Sequence, residues 1–386
     1  MILVSELSDP SEFADLRLKW SDLLTKSGEG PFNAWEWLYP WFRLIGRDRK
    51  LMILCAHDSE GQLLGIMPLC LDRPRIAGLR VTRIGFLGDT HVGSDYLDAI
   101  TLPGQRASTH AAFARHLKVR SADWDVLELE HLSSDSETVD AFRGIFGDAS
   151  HRFEVTPRST CPRQDFLPGE TFDLFLKKTR RSDNYLRRRR WLERQPGYRI
   201  ECTELPQDLT APMADFVRLH HLRWQDEGGS QGIRGPSVEA FHREACRLLA
   251  ESKMLRLYTL WVEEHAIASV YGIRHLNTFY YFQSGYDPAW RNRSPGMVLV
   301  GETFKNALEQ GCTAYDFLRG TEPYKSEWVS GQRKTVRMQI NLRRGKGEIF
   351  VLVHKYLRHA KALSRRWMPQ RWVERIRRRR TAQSHI

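Results

Sequence analysis

The sequence predicts a mixed α/β fold in two successive halves, and three observations carry that prediction. The order strand, strand, strand, loop, helix, strand occurs twice. A stretch rich in proline separates the two occurrences. And 386 residues are too many for one ordinary core.

In the first half, Leu51–His57 reads as a strand, Asp58-Ser-Glu-Gly61 as a turn, and Gln62–Leu71 and Leu79–Leu87 as two more strands. Gln105–Lys118 is helical, with Ala111, Ala112, Ala114 and Leu117. Trp124–Leu129 is the next strand, and Ser133 or Ser134 can cap the helix after it. In the second half, Leu255–Val262 and Ala266–Arg274 form a hairpin across Glu263-Glu264-His265, followed by the strand Thr278–Tyr286. Met297–Gln310 is a helix closed by Gly311 at its C′ position. Thr313–Leu318 and Thr335–Leu342 complete the set. The organisation expected is therefore a first domain over 1–155, a linker over 156–171 (Pro157, Pro162, Pro168, Gly169), and a second domain over 172–345. A basic helix and tail follow over 346–386, with Val353, Tyr356, Leu357, Ala360, Leu363 and Trp367 on one stripe. Pro369 ends the helix and Arg377–Arg380 fray.

The formal net charge is +12, but it is concentrated. Residues 177–194 carry +7 and residues 355–380 carry +10; removing that +17 from +12 leaves −5 for the rest. A mildly acidic body with two basic elements does not by itself argue for a nucleic-acid partner. No apolar run approaches the ~20 residues of a membrane-spanning helix, and the first residues lack a basic, then apolar, leader pattern. Cys55, Cys70, Cys161, Cys202, Cys246 and Cys312 show no paired Cys/His spacing. No metal is expected, and reduced core cysteines fit a cytoplasmic protein.

The stretch 295–328 concentrates the chemistry. Pro295-Gly296 opens a helix whose first amides can face an anion. The strand that follows ends in Asp316-Phe-Leu-Arg319-Gly320 and leads to Tyr324-Lys325. A carboxylate, a guanidinium, a phenol and an amine are thus placed beside a phosphate-binding turn. Asp316 can act as a base if burial raises its pKa, or it can pair with Arg319 or Lys325. Four consecutive arginines, Arg187–Arg190, sweep most of a helical turn, so some must approach the protein or a ligand.

Three motifs occur in order: Phe216–Trp224 with Gly228–Gly232; Phe282-Gln-Ser-Gly-Tyr-Asp-Pro288 with Ser294-Pro-Gly296; and Asp316–Gly320 with Tyr324, Lys325 and Trp328. This set resembles the CelD-like branch of the GNAT acyltransferase superfamily, associated with cellulose and exopolysaccharide biosynthesis and similar to the tandem-GNAT FemAB transferases. It covers about 172–345; the first half matches loosely through Gly88, Ser94-Asp95-Tyr96 and Trp124-Asp125. The resemblance implies two tandem GNAT-like domains and an acetyl-CoA or other acyl-CoA donor. Its diphosphate would meet Arg291, Arg293, Ser294, Gly296 and Met297, and its thioester oxygen the backbone near Ser284, Gly285 and Tyr286. Ser294 and Gly296 stand at the fourth and sixth positions of the family's loop, where it carries glycine and then glycine or alanine. The first half, with only Leu102-Pro-Gly104-Gln105 at the equivalent place, is expected to be non-catalytic.

The resemblance further implies that Tyr324 protonates the leaving thiolate. Arg319, Lys325, Arg223, Trp224, His220 and Arg187 are the candidate substrate contacts, and the acceptor implied is a saccharide or envelope-polysaccharide precursor. An aminoacyl-tRNA-dependent, FemAB-like transferase and a non-catalytic adaptor of a membrane-bound synthesis complex are the alternatives. The basic C-terminal helix can dock on the protein or lie on an anionic membrane surface.

Overall fold

The computed structural model describes residues 1–225 and 232–367. Residues 228–231 of the glycine run, Pro369 and Arg377–Arg380 lie outside them. The first half runs β1 (Leu3–Leu7), α1 (Pro10–Asp15), α2 (Arg17–Ser27), α3 (Trp35–Leu44), β2 (Lys50–His57), β3 (Leu63–Asp72), the two-residue strands β4 (Arg75–Ile76) and β5 (Leu79–Arg80), β6 (Arg83–Phe86), β7 (Ile100–Thr101), α4 (Arg106–Val119), β8 (Val126–Ser133), α5 (Glu137–Phe146) and β9 (His151–Asp165). The second runs α6 (Phe172–Lys178), α7 (Ser182–Leu192), β10 (Arg199–Thr203), α8 (Thr210–Gln225), α9 (Pro236–Glu251), β11 (Leu255–Val262), β12 (His265–His275), β13 (Thr278–Tyr286), α10 (Pro295–Glu309), β14 (Ala314–Asp316), β15 (Gly331–Leu342) and α11 (Lys346–Trp367).

With the two-residue strands β4, β5 and β7 and helix α5 set aside, each half repeats a strand, helices, three strands, a helix and two strands. The two sets join in one mixed α/β sheet, ordered β1-β2-β3-β6-β8-β15-β9-β14-β13-β12-β11-β10. The final strands are exchanged. β15, from the second half, pairs with β8 of the first, and β9, from the first half, pairs with β14 of the second. The two exchanged strands run antiparallel to each other, from Gly331 opposite Arg163 to Leu342 opposite His151.

This corrects the expected linker: residues 156–165 belong to a strand at the centre of the sheet. Its prolines are tolerated because the ladder to β14 begins only at Arg163, leaving one edge of the strand unladdered across Pro157 and Pro162. The expected strand Leu79–Leu87 is also divided. Val81 leaves the sheet edge to pack with Val126, Phe350 and Val351 under α11. Those two helical residues dock α11, whereas Tyr356 of the expected stripe is 74% exposed.

Two aromatic clusters position the elements. In α3, Trp37 lies edge-on to Phe241 of α9 at 4.9 Å and to Phe282 of β13 at 5.2 Å, so the first half's tryptophans pack on the second half's helices. Their indole N–H groups are satisfied inside this core: Trp37 donates to Ser94 Oγ and Trp41 to the Thr90 carbonyl. In the second half, Phe304 of α10 stacks on Tyr315 of β14 at 3.7 Å and on Trp328 at 5.4 Å, fixing α10 against the strand that follows it.

Helix α8 crosses β13 at Gly285, where a β-carbon would fall within the backbone of Leu219 and His220. The glycine is there for close approach. Gly285→Ala is expected to cost at least about 1–3 kcal/mol by overpacking, read as a lower urea midpoint at unchanged m-value; an unchanged midpoint would contradict this account of the crossing.

Candidate active site

Strands β13 and β14 are parallel, and they pair only from Thr278–Tyr280 to Ala314–Asp316. Beyond that, β13 stays with β12 as far as Tyr286. The other strand turns away through Leu318, whose φ is +57°. Parallel neighbours that part leave backbone groups without a ladder partner along the gap. A cavity of about 370 Å³ occupies this fork. One wall is Tyr281–Ser284 and Tyr286; the other is Arg319, Glu322, Tyr324, Lys325 and Trp328; the first turn of α10 covers it.

The approach to α10 is built by local chemistry. Asp287 caps a short 3₁₀ turn over Pro288–Arg293. Ser294 then takes a left-handed conformation, φ +55° and ψ 50°, and Pro295 begins the helix. Proline has no N–H, and the amides of Met297 and Val298 turn back to the Ser294 carbonyl at 3.1 and 3.2 Å. Gly296 therefore supplies the forward amide of this turn, beside the Tyr286 ring. Arg291, Ser294, Gly296 and Met297 line the cavity, and so do Arg223 and Trp224. The Arg223 guanidinium lies over the Trp224 ring at 4.7 Å and the Tyr286 ring at 5.4 Å.

Arg293 does not line the cavity; its guanidinium lies 3.9 Å over the Trp191 ring. Nor does Arg187, which hydrogen-bonds Asn184 on the exposed side of α7. The arginine run divides as helical geometry demands: Arg188 donates to the Asn292 carbonyl at 2.5 Å and Arg189 pairs with Glu302 at 2.9 Å. The cavity's cation from this region is Arg181, unselected in the sequence, which is ion-paired to Glu327.

Tyr324 lines the cavity, and burial, with Tyr281 and Glu322 nearby, holds its hydroxyl protonated well above the usual phenol range. It can donate a proton at neutral pH and cannot serve as a base. Lys325 is 4% exposed, with Nζ bonded to the carbonyls of Phe317 and Arg319 at 3.3 and 3.0 Å and paired to Glu322 at 2.9 Å. It ties the 317–325 loop together and has little left for a ligand.

Arg319 is held by the first half. Asp95 Oδ2 accepts from its backbone N–H at 3.0 Å and Asp95 Oδ1 lies 3.0 Å from Nε. The Ser94 carbonyl accepts from Nη2, and His131 Nε2 lies 3.3 Å from Nη1. Burial, Arg319 and Arg158 push His131 down to about 3, so it stays neutral and accepts. Ser94-Asp95-Tyr96 was visible in the sequence; its partner across the sheet was not.

Asp316 corrects the expectation of a base facing the donor. Its neighbours Tyr315 and Phe317 pack on Phe304 of α10, and alternation along the strand sends Asp316 to the opposite face. There its Oδ2 accepts from the Tyr96 hydroxyl at 3.1 Å and lies 3.7 Å from Arg163, while Oδ1 accepts from Leu318 N–H at 2.8 Å. His220 is likewise buried behind β13, its Nδ1 3.0 Å from the Ser284 carbonyl, with burial lowering its pKa to about 4. Among the described residues, no group of three or more His, Cys, Asp or Glu is arranged to hold a metal.

Burial raises the Asp316 pKa to about 6, against the lowering effects of Leu318 N–H and Arg163. A folded value above the unfolded 3.8 means that the folded state keeps a proton the unfolded chain releases. That contribution is complete below the unfolded value and fades as pH rises through the folded one, by about 3 kcal/mol in all. The stability of the parent chain relative to Asp316→Asn is expected to fall between pH 4 and pH 8, measured by urea unfolding across that range. A difference independent of pH would refute the assignment.

Residues 177–326 match the family described as an acetyltransferase (GNAT) domain. No curated protein matches the chain in sequence. Among solved structures, FemX is similar with a TM-score of 0.59 and 9% identity, covering 84% of this chain and 95% of its own. L-PGS from Bacillus licheniformis gives 0.52 and 12%, covering 92% of this chain and 98% of its own. The C-terminal domain of a putative lysylphosphatidylglycerol synthetase from Agrobacterium fabrum gives 0.53 and 8%, with 89% and 95% covered. At these identities the likeness is one of fold. The fork between β13 and β14 thus lies within the stretch that matches the acetyltransferase (GNAT) domain family, in a chain that shares its overall fold with these three proteins.

Proposed function

We propose that the chain is an acyl-CoA-dependent N- or O-acyltransferase, taking acetyl-CoA or another acyl-CoA. The acceptor is a saccharide or envelope-polysaccharide precursor, as in the CelD-like branch its motifs resemble. The observation that carries this reading is the fork cavity itself. It combines a forward amide at Gly296, guanidiniums from Arg181, Arg223 and Arg291, and a protonated phenol at Tyr324. A diphosphate suits the cationic wall and the helix head, and a thioester carbonyl suits the unladdered amides of β13. The acceptor's nitrogen or oxygen attacks the carbonyl, the carbon–sulfur bond breaks, and Tyr324 protonates the departing thiolate. The acceptor's own proton passes to solvent. Asp316 has no step in this scheme because its carboxylate lies on the other face.

No helix among the described residues is long and apolar enough to cross a membrane. We place the chain in the cytoplasm, with α11 as a peripheral contact to an anionic membrane surface: Ile349, Leu352, Tyr356 and Leu357 are exposed on it.

Titration calorimetry is expected to show CoA binding, weakened roughly tenfold, or about 1.4 kcal/mol, by Arg181→Ala or Arg291→Ala. No heat from CoA or acetyl-CoA would end this reading. Tyr324→Phe is expected to lower kcat roughly 100-fold with KM little changed, in an assay of free-thiol release; equal loss in kcat and KM would assign Tyr324 to binding instead.

The fold shared with FemX across most of the chain favours one second reading, a FemAB-like, aminoacyl-tRNA-dependent transferase, with the exposed Arg187 and Arg190 on RNA phosphates. Bound RNA that copurifies and dissociates steeply with salt would select it over the first.

A further inference from the structure

The arginine run of α7 leaves one half-buried cation without an opposite charge. Arg189 pairs with Glu193 at 3.0 Å and with Glu302 at 2.9 Å, and Arg181, just before the helix, pairs with Glu327. Arg188 makes no ion pair among the described residues. Its Nη1 donates to the Asn292 carbonyl at 2.5 Å, its Nε is buried with no hydrogen-bond partner, and its Nη2 is left open. A carbonyl orients a guanidinium but brings no formal charge to balance it.

A second guanidinium is fastened to the same place. Trp191 stands three positions after Arg188 on α7, so the two side chains share a face of the helix. The Trp191 ring holds Arg293, the residue after Asn292, with the guanidinium 3.9 Å above it. An aromatic face attracts a cation without cancelling its charge. Arg293 likewise makes no ion pair among the described residues. Two unbalanced cations are thus held at one short turn, Pro288–Arg293, by contacts that fix their positions. Like charges repel, and a bound anion relieves that repulsion.

The turn leads straight into Ser294 and the head of α10, and its Arg291 lines the fork. Arg188 and Arg293 do not line it. They stand outside, next to the loop to which the donor's diphosphate is assigned. Beyond its diphosphate, CoA carries a ribose with a 3′-phosphate. That phosphate is a monoester, with a charge of about −1.5 to −2 near neutral pH. The phosphates of RNA are singly charged diesters. Two unpaired guanidiniums match the monoester.

We propose that Arg188 and Arg293 form a phosphomonoester subsite at the mouth of the fork, which takes the 3′-phosphate of a CoA-class donor. The subsite rests on the acyl-CoA reading of the fork and adds what selects the donor there. The chain recognises the nucleotide end of CoA, and not the phosphopantetheine arm alone. Arg188 meets the phosphate through Nη2 while Asn292 holds Nη1, so the guanidinium is oriented before the ligand arrives.

The test compares CoA with 3′-dephospho-CoA on the full chain, by titration calorimetry. CoA is expected to bind at least roughly tenfold more tightly, the scale of one charge-assisted contact. Arg188→Ala is expected to lower CoA affinity by about that factor and to leave dephospho-CoA unchanged, so that the two ligands converge. Arg293→Ala is expected to narrow the difference in the same way. A substitution that merely disturbed the 288–293 turn would weaken both ligands together and keep their ratio. An unchanged ratio in both variants overturns the subsite, and so does equal affinity of the two ligands for the unaltered chain. In that second case both still bind, and the donor reading stands. No heat from either ligand ends the donor reading itself, and the subsite with it.

Discussion

The antiparallel ladder between β9 and β15 is the constraint on which the rest of the structure depends. Each half would close its own sheet with its own last strand; here the last strands are traded, so neither half is complete without the other. The exchange converts two repeats into one sheet and one continuous hydrogen-bond system. It also places the Ser94–Tyr96 segment of the first half against the Asp316–Arg319 segment of the second.

That contact explains how the first half takes part in the fork. Arg319 lines the fork, yet the partners of its guanidinium are Asp95, Ser94 and His131. A long, flexible cation beside an anionic substrate is costly to order at the moment of binding, and fixing it beforehand lowers that cost. Tyr96 completes the arrangement by donating to Asp316, which burial keeps close to neutrality. The first half thus acts on the fork through positioned groups.

The fork has a simple origin. Three paired residues are enough to align β13 and β14, and the left-handed Leu318 then turns the chain away while β13 remains anchored to β12. The opening is held from below by Phe304, stacked on Tyr315 and Trp328 at either side of the turn. Lys325 closes the loop on itself through two carbonyls and Glu322. The geometry of the gap is therefore set by apolar stacking and one buried ammonium.

Sequence alone determined the repeat of strands and helices, the helix head at Pro295-Gly296, and several of the short segments that line the fork. These are local properties: periodicity, turn residues and residue type act within a few positions of themselves. Residue type and spacing picked out Arg319, Tyr324 and Lys325, the family resemblance picked out Arg223, Trp224, Arg291, Ser294, Gly296 and Met297, and all border the fork. Tertiary structure alone decided that residues 156–165 are a central strand, because their prolines signal a break unless a partner strand is known to leave one edge open. It decided that Asp316 looks away from the fork, since the pattern of a buried strand does not say which face holds which neighbour. It decided that Arg181, rather than Arg187 or Arg293, faces the cavity, because a run of like residues differs only in helical angle against a wall that folding must first build.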